Sequence, residues 1–139
     1  MIIRTKGQPK YDYFPKAAST AFAVNSLVTF NGSGQIAPAA AGTTTGIVGI
    51  VKKLVAATDS DYASTTKIAV DVNLGADSEF EIDANGTVTA AMVGIYKDIG
   101  ADASTLAIAA ATNNHMIVKG LGSTTTKANV GINLQSMVA

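Results

Sequence analysis

Few side chains in this sequence could do chemistry, and their spacing argues against most of it. His115 stands alone: the chain has one histidine and no cysteine, so neither a nucleophilic triad nor a transition-metal site can be completed around it. Beside Asn113-Asn114 it reads as a structural residue at a turn. Asp59-Ser60-Asp61 has the opening spacing of a calcium loop. It lacks the glycine and the closing glutamate of that motif, and a solvated turn is the simpler account. Glu79 and Glu81 alternate with Phe80 and Ile82, which puts both carboxylates on one face of a strand. A paired-carboxylate hydrolase would also need a partner strand and a cleft, so a polar outer face explains them better. Gly32-Ser33-Gly34 sits in a hairpin rather than ahead of a helix, so it is not a phosphate-binding loop. Catalysis has almost no candidates, and the expectation is a non-enzymatic protein with no cofactor and no metal.

The elements around these residues are short strands. In LVTFNGSGQIA, residues 27–37, two β-rich runs flank Asn31-Gly32, whose tolerance of positive φ is a strong hairpin signal. GIVGIVKKLV, residues 46–55, is a β-branched run with Gly49 inside it, which marks a bulge or a close backbone approach. Residues 56–66, AATDSDYASTT, form a polar loop. KIAVDV, residues 67–72, alternates Ile68, Val70 and Val72 with polar or small partners, the period of a half-buried strand. Asp83-Ala84-Asn85-Gly86 predicts a second hairpin, between 79–82 and 87–89. MVGIYKDI, residues 92–99, predicts another strand. Val48-Gly49-Ile50 and Val93-Gly94-Ile95 echo each other, each after an Asn-Gly turn, and either mark a repeated hairpin unit or coincide by composition. The alanine-rich 101–112 is the one helix candidate, but Leu106 and Ile108 alternate with alanines and lean it toward strand. HMIVKGL, 115–121, and NVGINL, 129–134, predict closing strands across an exposed loop at 122–127. Together these predict a mainly β fold.

At 139 residues the chain makes one domain with a modest core. Ten basic and ten acidic residues cancel and are spread along the chain, which argues against a nucleic-acid footprint and against binding an anionic membrane. Without cysteine no disulfide framework exists. Only 14% of residues are charged while 47% are hydrophobic, which suggests surface covered by further copies or by a large partner. No apolar run reaches the roughly 7–15 residues of a secretory signal core or the roughly 18 of a membrane helix.

Residues 1–23 stand apart from residues 24–139, the expected β domain. They hold two of the three prolines, Pro9 and Pro15, with Gly7 and the aromatics Tyr11, Tyr13 and Phe14. We read an extended arm in which Ile2, Ile3, Tyr11, Tyr13 and Phe14 contact a neighbouring subunit or partner; packing on the chain's own domain is the alternative.

The order of hairpin, GTTTGIVGIVKKLVAAT, polar loop, TTKIAV and then Gly75-x-x-x-x-Phe80 resembles the head-decoration, or capsid cement, proteins of tailed bacteriophages. The likeness covers about residues 25–83; the chain departs from it over 94–134. It implies a small β-barrel or β-tulip domain on the outer surface of the virion head. It also implies the major capsid protein as partner, self-association as a homotrimer, and an N-terminal arm on the capsid lattice. The bland composition suits that work, because adhesion through many modest interfaces needs no reactive group. A β-rich surface adhesin or fibre module is the alternative. A major capsid protein itself would need a longer chain with a long helix.

Overall fold

The computed structural model describes residues 1–44 and 46–133. Eleven strands run in the order β1 (Ile2–Lys6), β2 (Tyr11–Pro15), β3 (Ser26–Phe30), β4 (Ile36–Pro38), β5 (Ile47–Val51), β6 (Lys67–Asp71), β7 (Glu79–Ala84), β8 (Tyr96–Ile99), β9 (Thr105–Ala107), β10 (Met116–Leu121) and β11 (Lys127–Ile132). Among the described residues a single 3-10 turn, Ala90–Met92, precedes β8. The mainly β class read from the sequence is therefore the class of the fold.

The strands form two sheets. The first has the order β1-β7-β11-β10-β8-β9, and β9 returns to pair in parallel with β7. That return closes β7, β11, β10, β8 and β9 into a five-stranded barrel, with β1 attached outside the ring on β7. Closure removes the free edges that an open sheet of these strands would carry. The second sheet, β2-β6-β5-β3-β4, is antiparallel throughout.

Two cores follow from how side chains alternate. Phe80 and Ile82 point into the barrel with Leu106, Met116, Val118 and Val130, and Leu27 and Ile50 of the second sheet join the same cluster. Their sequence neighbours Val28 and Val51 point the other way, into a second cluster with Phe22, Val55, Ile68 and Val70. The second sheet is thus buried on both faces at its centre, which is why β3 and β5 carry adjacent apolar residues, Leu27-Val28 and Ile50-Val51, rather than strictly alternating ones. Gly49 is required here. A Cβ on it would lie 2.6 Å from Val70 Cγ1 and closer still to the Asp71 carbonyl oxygen, so β5 could not reach β6 with any larger residue.

The Asn31 hairpin forms as expected. Asn31 Oδ1 accepts from the N–H groups of Ser33 and Gln35, and Gly34 takes the positive φ, 75°. The closing strands β10 and β11 form as well; position 134 lies outside the described residues.

Several expectations are corrected. Asn85-Gly86 makes no hairpin: Asn85 N–H donates to Leu106 O and Val88 N–H to Thr125 O, so the chain leaves β7 for distant partners and 87–89 is not a strand. In 92–99 only Tyr96–Ile99 is strand, because Gly94 turns the chain at φ 86°. The Val-Gly-Ile echo is therefore no repeat, since Gly49 lies mid-strand and Gly94 in a turn. In 101–112 only Thr105–Ala107 is strand, with Asp102 Oδ1 accepting from Ser104 N–H, Ser104 Oγ and Thr105 Oγ1 in the turn before it.

The boundary at 23/24 corresponds to no break in the structure. β1 pairs with β7 and β2 with β6, so residues 1–23 supply a strand to each sheet instead of forming a separate arm.

Candidate interaction surface

Two cations, half-buried Arg4 in β1 and fully buried Lys16 after β2, tie these strands to the rest of the fold. Arg4 spans the sheets: Nε and Nη2 donate to Asp71 Oδ2 at 3.1 and 2.8 Å, Nη2 also to Asn73 O, and Nη1 to Ser78 Oγ. Its guanidinium lies 4.8 Å from the centre of the Phe80 ring. Asp71 Oδ1 is occupied as well, by the N–H groups of Lys10 and Asn73. Lys16, directly after β2, is fully buried, and its Nζ donates to Tyr62 O at 2.9 Å and Ser64 O at 2.6 Å. That clamps the 56–66 loop beside the second core, where Tyr62 packs, while Asp59-Ser60-Asp61 forms the surface turn expected of it. A lysine can do this because its methylene stem packs like a hydrophobe while the ammonium finds carbonyl acceptors.

The five residues expected to reach outward separate on this frame. Ile2 is buried in the barrel-side core at 1% exposure, and Phe14 is half-buried against the second core, its ring edge-on to Phe30 at 5.5 Å. Both are spent within their own chain, which corrects their reading as residues free for a partner. Ile3, Tyr11 and Tyr13 remain open, at 46%, 54% and 62% exposure. Two-residue periodicity puts Tyr11 and Tyr13 side by side on one face of β2 and sends Phe14 to the other.

β2 is an edge strand, but its backbone is poorly suited to adding another. Val72 N–H donates to Lys10 O and Lys16 N–H to Thr66 O, so the even-numbered residues face β6. Tyr11, Tyr13 and Pro15 then face outward. Pro15 has no N–H, and the Tyr13 N–H is taken by Asp12 Oδ1 at 2.9 Å. Two of three outward positions are closed to a new strand, so this edge offers tyrosine side chains rather than a hydrogen-bonding ladder.

A second exposed apolar group escaped the sequence reading. Val93, Ile95, Tyr96 and Leu121 are all more than two-fifths exposed, and Tyr96 sits opposite Ile117 in the β8–β10 pair. The signal was present as MVGIY, but the glycine turn that exposes Val93 and Ile95 was read as strand.

The residues weighed for chemistry are dispersed and engaged. Glu79 pairs with Lys6 at 3.1 Å, and Glu81 accepts from Ser123 N–H and Oγ with Lys127 nearby, both on the outer face of β7 as expected. The Ser123 backbone hydrogen bond holds the Glu81 carboxyl below its ordinary range. Asp61 is lowered chiefly by its hydrogen bond with Lys53. Asp83 is lowered by the N-terminal ammonium, 2.9 Å away. Asp102 is lowered by the Ser104 backbone N–H. Asp59 caps its own turn through Ala56 N–H. His115 is buried between backbone partners. Among the described residues no three histidine, aspartate or glutamate side chains group so as to hold a metal ion.

No protein-family model matches the chain, and no curated protein matches it in sequence.

Proposed function

We propose that this is a non-enzymatic capsid-decoration protein of a tailed bacteriophage, which binds the outer surface of the major capsid protein lattice, self-associates as a trimer, and stabilises the head by bridging subunits. One observation carries the reading furthest: Tyr11 and Tyr13 stand exposed on a strand anchored just before its start by the Lys10 N–H on Asp71 and just after its end by buried Lys16. A pre-ordered aromatic pair loses little conformational entropy on docking, and tyrosines are frequent anchors of protein interfaces. The contact residues of this proposal are Ile3, Tyr11 and Tyr13. The sequence likeness to cement proteins over residues 25–83 supplies the partner.

The test uses undecorated heads and the Tyr11→Ala/Tyr13→Ala variant. Each interface tyrosine is worth about 1–2 kcal/mol or more on truncation, so the pair should weaken shell binding by at least about thirtyfold. The urea midpoint of the isolated protein should not move, because both side chains are in solvent. Binding at full strength would remove these tyrosines as the anchor. Heads that rupture at the same temperature with and without the protein would remove the stabilising role and favour the surface-adhesin reading.

A further inference from the structure

His115 takes no part in the proposed shell contact, yet it is buried at the seam between the barrel and the segment that leads into β5. Both of its ring partners are backbone groups. The Ile99 N–H lies 3.0 Å from Nδ1, and the Thr43 carbonyl oxygen lies 2.7 Å from Nε2. An amide N–H only donates and a carbonyl only accepts, so Nδ1 carries the lone pair and Nε2 the proton. The ring is held as a single neutral tautomer. A second proton can go only to Nδ1, where it would meet the Ile99 N–H head on. Proton uptake and the Ile99 hydrogen bond exclude each other.

The surroundings tie this ring to the seam. Asn113 Nδ2 donates to Ala41 O at 2.7 Å, so residues 41 and 43 are both fastened to the 113–115 stretch. The His115 carbonyl accepts from Asn133 N–H. Asp98 is the one charged side chain in the segments that bond to this cluster, residues 40–44, 98–100, 112–116 and 133. Its carboxylate is committed to backbone: Oδ2 accepts from Thr112 N–H at 3.0 Å, and Oδ1 from Asn113 and Asn114 N–H at 2.8 and 2.7 Å. It fixes the loop that leads into His115.

We infer that His115 is a proton-operated latch on this seam: neutral, it joins Ile99 of the barrel to Thr43, and protonated, it must leave Ile99 while its Nε2–H stays on Thr43, which breaks the tie between β8 and residues 40–44. The latch is closed at higher pH and opens as pH falls. This rests on the ring geometry alone and stands or falls independently of the shell reading.

The test is NMR on the full chain, titrated from about pH 8 to about pH 5, the span in which protein imidazoles commonly take up protons. The Asp61, Glu81, Asp83 and Asp102 carboxylates are all held below their ordinary ranges and stay ionised through it. Ring nitrogen shifts report tautomer and protonation. Amide exchange, corrected for its intrinsic pH dependence, reports Ile99 and Asn113, with Ala84, bonded to Thr126 O, as reference. The expected result is the Nε2–H tautomer at pH 8 and a fall of about tenfold or more in Ile99 protection in step with ring protonation, while Ala84 holds. The opposite tautomer, Ile99 protection that survives protonation, or a ring that stays neutral until the whole protein unfolds would each overturn the latch. In His115→Gln the pH step should vanish; the same step in that variant would also overturn it, and the titration of the unaltered protein decides if the variant does not fold.

Discussion

Replacing Arg4 with methionine should reveal how the two sheets are held together. The change keeps most of the side-chain volume and removes the guanidinium, whose partner Asp71 is 5% exposed against 13% for Arg4 itself. Four acceptors lose a donor: Asp71 Oδ2, Asn73 O, Ser78 Oγ and the more exposed Lys6 O. Asp71 cannot turn to water, because its other oxygen is bonded to the backbone of Lys10 and Asn73. Stranding one member of a buried ion pair costs about 3–5 kcal/mol, whereas exposed pairs are worth about 0–1. With a urea dependence of about 2 kcal/mol per molar for a domain of this size, the unfolding midpoint should drop by about 1.5–2.5 M. Arg4→Lys should fall in between, since an ammonium keeps the charge but loses the planar fork that reaches Asp71 through two nitrogens. The assay is equilibrium urea unfolding of the three proteins at one pH. A midpoint shift under about 0.5 M for Arg4→Met would refute the reasoning and reduce the pair to a surface contact.

Gly49→Ala should destabilise by about 1–3 kcal/mol or more, because the new methyl meets the Asp71 backbone, which cannot move aside as a side-chain tip would. The same unfolding assay reads it, and its effect should not add simply to that of Arg4→Met, since both act on Asp71. For Asp102, a carboxyl lowered from 3.8 in the folded state contributes stability above that value and loses it as pH falls through the folded titration. The midpoint gap between the protein and Asp102→Ala should therefore be present at pH 6 and close below about pH 4; a gap unchanged at pH 2 would show that the turn does not depend on the charge. Deleting residues 1–16 should abolish cooperative unfolding, because it removes Ile2, Arg4 and Lys16 together; a truncated chain with a sharp transition would return those residues to the role of a detachable arm.

What was legible in the sequence was local. Ile68 and Val70, or Phe80 and Ile82, announce a strand and its buried face within five residues. Asn31-Gly32 announces a hairpin because β3 and β4 pair across that turn. Asn85-Gly86 carries the same letters, but the partners of β7 are β1, β11 and β9, all far along the chain, and no neighbouring strand exists for the turn to join. The N-terminal stretch misled for a similar reason. Pro9 and Pro15 look like an arm until the Arg4–Asp71 bond, 67 residues apart, is known. Lys16 misled because lysine is ordinarily exposed, and nothing in PKAAS tells that a carbonyl cradle at Tyr62 and Ser64 awaits it. Of the candidate surface, Tyr11 and Tyr13 could be found by type. Their exposure, and the closure of the edge beside them by Pro15 and Asp12, needed the register of β2 on β6.

The parallel return of β9 to β7 has a consequence for how the protein is made. β7 is flanked by β1, by β11 and by β9, so the strand at the centre of the first sheet depends on residues from Ile2 to Val130. On a ribosome adding about 5–20 residues per second, β1 emerges first and waits for β7, and β7 then waits seconds more for β11. The second sheet is free of this delay, since its last strand, β6, ends at Asp71. It can assemble on the nascent chain and offer Leu27 and Ile50 as the wall against which the barrel later closes. The order of synthesis thus makes the second sheet the template and the barrel the closing step.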